Sequence, residues 1–225
     1  MKIPPPVLGA AFVAYGGDPP RHREEPAMRA PARLFVRLFL VVVSVIFLLM
    51  SIAYLERSRV SDWQWLAGFA GSPLSNLSQL WINTALLAAS SVALQWGRMA
   101  GAHADDGQAK LAVALGGLLA LAFLSGQWSV WQDLTSRGHS AAANPANGFF
   151  YMITGVHGAH LAGGLLVLAI VAARLWRNGV QRARTSLALT SVYWHFLFVV
   201  WLAMFALLAS PRDALENFAA ICGFR

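Results

Sequence analysis

Residues 149–173, FFYMITGVHGAHLAGGLLVLAIVAA, form the stretch of sequence that indicates the fold most clearly. The stretch contains no Asp, Glu, Lys or Arg, and at ~1.5 Å per residue a helix of this length crosses a ~30 Å hydrocarbon core. Glycines and two histidines are interleaved along it. Small residues permit close helix contact, and buried polar side chains need partners inside a bundle. This helix therefore packs against protein on at least one face.

Composition points to an integral membrane protein built as a single bundle. Of the 225 residues, 57% are hydrophobic and 12% are charged, which is about half the charged fraction of an average soluble domain. The net charge of +7 comes from residues between the apolar runs, where topology and anionic lipid account for it without nucleic acid. The single cysteine, Cys222, excludes an intrachain disulfide and a cysteine-based metal site.

The apolar runs predict an all-α fold of five transmembrane helices within residues 33–210. The predicted spans are residues 34–55, 77–97, 110–131, 149–173 and 187–209. Residues 1–32 precede the spans and are predicted to form a disordered or extended basic arm, because their repeated prolines remove helix hydrogen bonds. After them, residues 211–225 form a short tail.

The basic residues predict the orientation of the five spans. Twelve of the 17 Lys and Arg residues fall on the side that carries the N-terminus. Because positive charge accumulates on the cytoplasmic side, we expect a cytoplasmic N-terminus and an external C-terminus.

The predicted spans contain no Asp or Glu. A proton relay, an ion pathway or a carboxylate-bound metal inside the membrane normally needs one. This absence argues against a pump or a proton-coupled transporter, and we find no internal repeat that would suggest a transporter's inverted halves.

Three intramembrane histidines allow two interpretations. His157 and His160 lie on adjacent parts of one helical face, and His160 and His195 fall at a similar depth, roughly 13 Å from the cytoplasmic side. We predict that these histidines belong to a hydrogen-bonded patch that holds the fourth and fifth spans together. The alternative is a haem or metal site that uses all three. In the same way, Asn83 and Gln127 are expected near the external interface, joined by an amide hydrogen bond.

Two motifs resemble a known family, subunit III of the haem-copper cytochrome c and quinol oxidases, in its five-helix form. Residues 149–164, FFYMITGVHGAHLAGG, resemble the family pattern FF-x-x-TG-x-H-x-x-H-x-x-GG, and residues 193–201, YWHFLFVVW, resemble YWHF-x-x-VVW. The helix-packing and motif residues taken from the resemblance and the patterns above are Thr154, Gly155, His157, Gly158, His160, Gly164, Tyr193, Trp194, His195, Trp201, Asn83 and Gln127. Val43 and Phe198 stand where family members usually carry a glutamate and an aspartate.

The resemblance implies a non-catalytic subunit of a respiratory terminal oxidase in a bacterial inner membrane. Such a subunit packs on the catalytic subunit I, belongs to a complex with subunit II and holds phospholipids, while haem and copper reside in the partner chains. The complex reduces oxygen with electrons from cytochrome c or quinol. An accessory subunit of a nitric-oxide-reductase-type complex and a haem- or metal-binding membrane oxidoreductase are the alternatives.

Overall fold

The computed structural model describes residues 29–67, 73–74 and 77–210, with side chains from residue 34 onward. The regular structure of these residues is five α-helices. They are α1 (Arg29–Arg57), α2 (Ser78–Ala102), α3 (Asp106–Ser136), α4 (Pro145–Asn178) and α5 (Val180–Ala209). Each predicted span falls on one helix, which confirms the all-α fold.

The predicted terminal segments lie mostly outside the described residues. This is true of residues 1–28 of the basic arm and of the tail from residue 211 onward. The predicted end of the arm at residue 32 is too late, because α1 already begins at Arg29. Pro31 is compatible with that start, since a proline in the first turn of a helix removes no intrahelical hydrogen bond.

Four of the five helices are long and apolar enough to cross a membrane. They are residues Leu34–Arg57 of α1 and the whole of α3, α4 and α5. α2 is less apolar because it carries Asn83, Thr84, Ser90 and Ser91, all of them buried. α2 packs more extensively on α3 than on any other helix. We therefore infer that α2 lies at the depth of α3 and is the remaining member of the transmembrane bundle.

α2 and α5 form the centre of the bundle, and α1 lies at its edge. α2 packs between α3 and α5, α4 contacts α3 and α5, and α1 contacts α5 and α4 only lightly. A cavity of about 740 Å³ opens between α1, α4 and α5. The first helix is therefore peripheral, and a groove lies beside it.

The two ends of the bundle are closed by polar side chains from the connecting segments. At one end, the Asn144 side chain caps α4 through Ala146 N at 3.0 Å and also donates from Nδ2 to the Gln64 carbonyl at 3.0 Å. Arg57 and Asp62 pair nearby at 2.6 Å, and this pairing holds the pKa of Asp62 below its usual value. The segment after α1 is thereby joined to the start of α4.

Asp106 joins the α2–α3 connection to the α4–α5 connection at the other end. Its Oδ1 accepts a hydrogen bond from Val180 N at 2.7 Å, and the same carboxylate pairs with Lys110. Gly179, between α4 and α5, has a φ of +74°, a conformation that glycine adopts readily. α5 therefore begins with its first amide capped by a residue of α3.

We predict that Asp106→Ala destabilises the bundle by about 1 kcal/mol, as loss of a helix cap does. The measurement is the thermal unfolding midpoint of the detergent-solubilised protein. Asp133→Ala is the matched control, because the Asp133 side chain forms only an exposed pair with Arg137, the residue that follows α3, and such pairs contribute about 0.3–0.5 kcal/mol. Equal midpoints for the two variants would contradict the capping role of Asp106.

Candidate functional site

The predicted site residues belong to α2, α3, α4 and α5, and two tryptophans of α5 make the clearest contacts between these helices. Trp194 Nε1 donates to Ser90 Oγ of α2 at 2.8 Å, and Ser90 Oγ donates in turn to the Gly116 carbonyl of α3 at 2.7 Å. Both side chains are fully buried. A single chain of hydrogen bonds therefore connects α5, α2 and α3.

The second tryptophan makes a similar connection nearer the other end of α5. Trp201 Nε1 donates to Thr84 Oγ1 at 2.9 Å, and Thr84 Oγ1 donates to the Leu80 carbonyl of its own helix at 2.8 Å. Ser191 Oγ adds a further bond, to Gln95 Oε1 at 2.9 Å. Side-chain hydrogen bonds thus join α2 to α5 along much of their length.

Glycines of α4 allow large side chains of neighbouring helices to approach its backbone. A Cβ at Gly164 would lie 2.7 Å from Tyr193 Cε1 and 3.2 Å from Trp194 Cζ3, and a Cβ at Gly155 would lie 3.4 Å from Trp131. Gly158 is less crowded, with Leu124 Cδ2 at 3.8 Å. Gly155 and Gly158 therefore lie at the α3–α4 contact, and Gly164 lies at the α4–α5 contact. Gly164 has the closest neighbours of the three.

Thr154 connects α4 to α3. Its Oγ1 donates to the Phe150 carbonyl at 2.6 Å and accepts a hydrogen bond from Trp131 Nε1 at 3.2 Å. Because its hydroxyl is satisfied on both sides, Thr154 has the properties of a packing residue.

His157 is enclosed by aromatic rings. It is fully buried, and neither ring nitrogen has a hydrogen-bond partner among the described residues. Its ring centroid lies 6.2 Å from that of Phe47, 6.0 Å from that of Phe123 and 5.3 Å from that of Trp201. His157 therefore packs at the junction of α1, α3, α4 and α5 through its ring faces and edges.

His160 lies one turn further along α4 and faces the cavity. Its Nδ1 donates to the Val156 carbonyl at 2.8 Å, and its own backbone carbonyl accepts a hydrogen bond from Tyr193 Oη at 2.9 Å. The rings of Phe39 and Phe47 lie 6.3 and 5.6 Å from it. His160 thus contributes to the contacts of α4 with α1 and α5.

The predicted role of His195 in holding α4 and α5 together is wrong. Its Nδ1 lies 2.9 Å from Ser91 Oγ, so it connects α5 to α2, and its side chain is exposed on the surface of the chain. The reason is helical phase: two residues turn a helix by about 200°. Since Tyr193 faces α4, His195 faces away from it.

The histidines do not converge. The described residues contain no cluster of three His, Cys, Asp or Glu side chains that could hold a metal ion. His157 lies among aromatic rings, His160 faces the cavity, and His195 pairs with Ser91 on α2. Geometry therefore gives no support to a haem or metal site built from these three residues.

The predicted amide pair of α2 and α3 is confirmed. Asn83 Nδ2 donates to Gln127 Oε1 at 3.4 Å, and Asn83 Oδ1 accepts from Gln79 Nε2 at 3.3 Å. Asn83 also fills the space beside Gly126, where a Cβ would lie 2.3 Å from Asn83 Oδ1. These residues hold α2 against α3.

Sequence reasoning missed the hydrogen-bond acceptors of α2 and the pairing of Gln95 with Ser191. A signal was present in the spacing, since Ser91 and Gln95 are four residues apart on α2 and Ser191 and His195 are four apart on α5. Residues at this spacing share one helical face. Two such polar faces predict contact between the helices that carry them.

Comparisons with known proteins agree with the motifs. Residues 22–209 match the family model described as cytochrome c oxidase subunit III. The chain is 31% identical over 197 residues to the cytochrome c oxidase subunit 3 of Synechocystis, covering 85% of this chain and 79% of that protein.

Two further relatives are matched over shorter segments. The chain is 32% identical over 134 residues to a probable cytochrome c oxidase subunit 3 of Mycobacterium tuberculosis, covering 59% of this chain and 66% of that protein. It is 27% identical over 139 residues to the cytochrome bo(3) ubiquinol oxidase subunit 3 of Pseudomonas aeruginosa, covering 61% and 66%. The chain thus spans slightly less than two thirds of these two relatives.

We predict that Gly164→Ala destabilises the protein by about 1–3 kcal/mol, because the added methyl group overpacks the contact with Tyr193 and Trp194. Gly163→Ala is the matched control, since nothing lies within 4 Å of a Cβ there, and Ala is intrinsically better than Gly in a helix. The measurement is the thermal unfolding midpoint of each variant. A Gly164→Ala protein as stable as the Gly163→Ala protein would show that α4 and α5 do not approach as closely as the structure places them.

Proposed function

Because the chain belongs to the cytochrome c oxidase subunit III family, we propose that it is the non-catalytic subunit III of a haem-copper terminal oxidase. The match over residues 22–209 carries this proposal, since it includes all five helices. The long apolar helices indicate that the chain is a multi-pass membrane protein. A bacterial inner membrane with the N-terminus in the cytoplasm is the location that we propose.

The polar groups of the bundle support a structural role for this chain. The hydroxyl groups of Thr84, Ser90 and Thr154 are all used in contacts between helices or with their own backbone. Catalysis would require polar or titratable groups that converge on a substrate or cofactor. We therefore assign haem, copper and oxygen reduction to the partner subunits I and II.

The electron donor of the complex is cytochrome c or quinol. The names of the relatives include both cytochrome c oxidases and a ubiquinol oxidase. Electrons from either donor would reach the redox centres of the partner chains, so the role proposed for this subunit is the same in both cases.

The experiment that tests this function is purification of the tagged chain from its own membranes in a mild detergent. We expect a large multi-span subunit to co-purify, with haem and copper in the complex and a visible haem spectrum. After separation of the subunits, this polypeptide should carry neither. Stoichiometric haem or metal on the isolated chain would instead support the membrane oxidoreductase alternative.

A phospholipid is the proposed occupant of the groove between α1, α4 and α5. The cavity of about 740 Å³ is lined mainly by apolar side chains such as Phe35, Phe39 and Ile170, and Arg174 lies at one end. An apolar groove of this size suits acyl chains. The exposed guanidinium of Arg174 suits an anionic headgroup, to which one Arg contributes about 1 kcal/mol.

We predict that Arg174→Ala weakens retention of anionic phospholipid about five-fold, the change that corresponds to ~1 kcal/mol. The measurement is the amount of phosphatidylglycerol that stays bound after detergent exchange, determined by native mass spectrometry. Arg177→Ala is the matched control: Arg177 is also exposed, on the same helix, but it does not line the cavity. Equal lipid loss in both variants would show that the effect is general surface charge and not binding in the groove.

A further inference from the structure

One surface of α2 and α5 combines exposure with a regular spacing, and we name it the outer seam. On α5 its exposed residues follow a spacing of three and four, and on α2 they show the same pattern. The outer seam consists of Val192, His195, Val199, Leu202 and Ala206 on α5 and of Ile82, Ala85, Ala89 and Val92 on α2. Side chains at this spacing form the row that packs into the grooves of another helix.

His195 is the polar residue of the outer seam, and it lies half-way along α5. α5 has 30 residues, so at ~1.5 Å per residue His195 is roughly 22 Å from either end of the helix. Its Nδ1 is paired with Ser91 Oγ at 2.9 Å. Its Nε2 has no hydrogen-bond partner among residues 34–67, 73–74 and 77–210. Nδ1 is thus hydrogen-bonded within the chain, whereas Nε2 is left without a hydrogen bond there.

Lipid cannot complete this hydrogen bond. The acyl chains at the centre of a bilayer offer no donor or acceptor, and polar side chains at that depth are found against protein or in water-filled cavities. His195 does not line the cavity between α1, α4 and α5. A polar group of another polypeptide at the same depth is the partner that these conditions favour for Nε2.

We propose that the outer seam is the surface on which a transmembrane helix of the haem-bearing subunit docks, and that this helix supplies a hydroxyl, amide or carbonyl group to Nε2 of His195. The proposal rests on the proposed function and specifies which face of this chain meets the partner. Ala85 and Ala89 lie four residues apart on α2, and small residues at this spacing let a partner helix approach closely. Val192 and Val199 flank His195 with apolar contact area.

Photocrosslinking within the intact complex tests the position of the interface. A photoreactive amino acid is placed at Val199 in the outer seam, and the control probe replaces Leu118 of α3, since the two side chains are similarly exposed, at 61% and 64%. We expect Val199 to crosslink to the haem-bearing subunit, identified by peptide mass spectrometry, and Leu118 to yield lipid adducts.

The outcomes separate the inference from the function on which it rests. The docking surface is overturned if Val199 forms adducts only with lipid or with a second copy of this chain. It is also overturned if only Leu118 captures the haem-bearing subunit. Each of these results leaves the proposed function intact. Failure of the unmodified chain to co-purify with any haem-bearing subunit would instead refute the proposed function.

Substitution of His195 tests the hydrogen bond itself. His195→Leu should lower recovery of the haem-bearing subunit in a detergent titration about three-fold, equivalent to ~0.6 kcal/mol, the average for a hydrogen bond between membrane helices. His195→Gln retains a donor and an acceptor and should restore much of the recovery. Ser91→Ala removes only the internal partner of His195, so it should leave recovery near that of the unmodified chain. A larger loss with Ser91→Ala than with His195→Leu would show that the bond within the chain is the one that matters.

Discussion

A hydrogen-bonding group inside a hydrocarbon core is stabilised by a protein partner, and this constraint explains why α2 lies at the centre of the bundle. The indole N–H groups of Trp194 and Trp201 on α5 find theirs in the hydroxyls of Ser90 and Thr84 on α2. α2 is the helix that falls short of the apolar composition of a membrane span. It occupies the centre because the polar residues that lower its hydropathy are the acceptors that α5 requires.

Close packing on α4 and loose packing of α1 have a common consequence, the groove between α1, α4 and α5. Gly164 brings the rings of Tyr193 and Trp194 against the backbone of α4, whereas α1 contacts α4 and α5 only lightly. Phe39 and Phe47 provide the main aromatic contacts of α1 with the histidines of α4. The tight pair and the loosely attached helix leave a space between them, and that space is suited to lipid.

The two positions where the family usually carries acids are apolar here, and the packing around them differs. Val43 is buried, and it lies one turn from Phe39 and one turn from Phe47 on the face of α1 that contacts α4 and α5. An apolar residue suits this position, because a buried carboxylate would need a partner. Phe198 is half-buried and packs against the core. The interior of this chain is thus held together by neutral hydrogen bonds and aromatic contacts.

The sequence alone determined the all-α class, the five helices and the Asn83–Gln127 pair, because apolar length and helical spacing are local properties of the chain. The proposed function was inferred from the resemblance of residues 149–164 and 193–201 to family motifs. The tertiary structure decided which helix each polar side chain faces. His195 of α5 contacts α2 and not the predicted α4, and His157 lies among aromatic rings. Trp194 is bonded to Ser90, which is 104 residues away in the chain. Depth along a span can be counted from a sequence, but the rotation of each helix about its axis depends on the packing of all five.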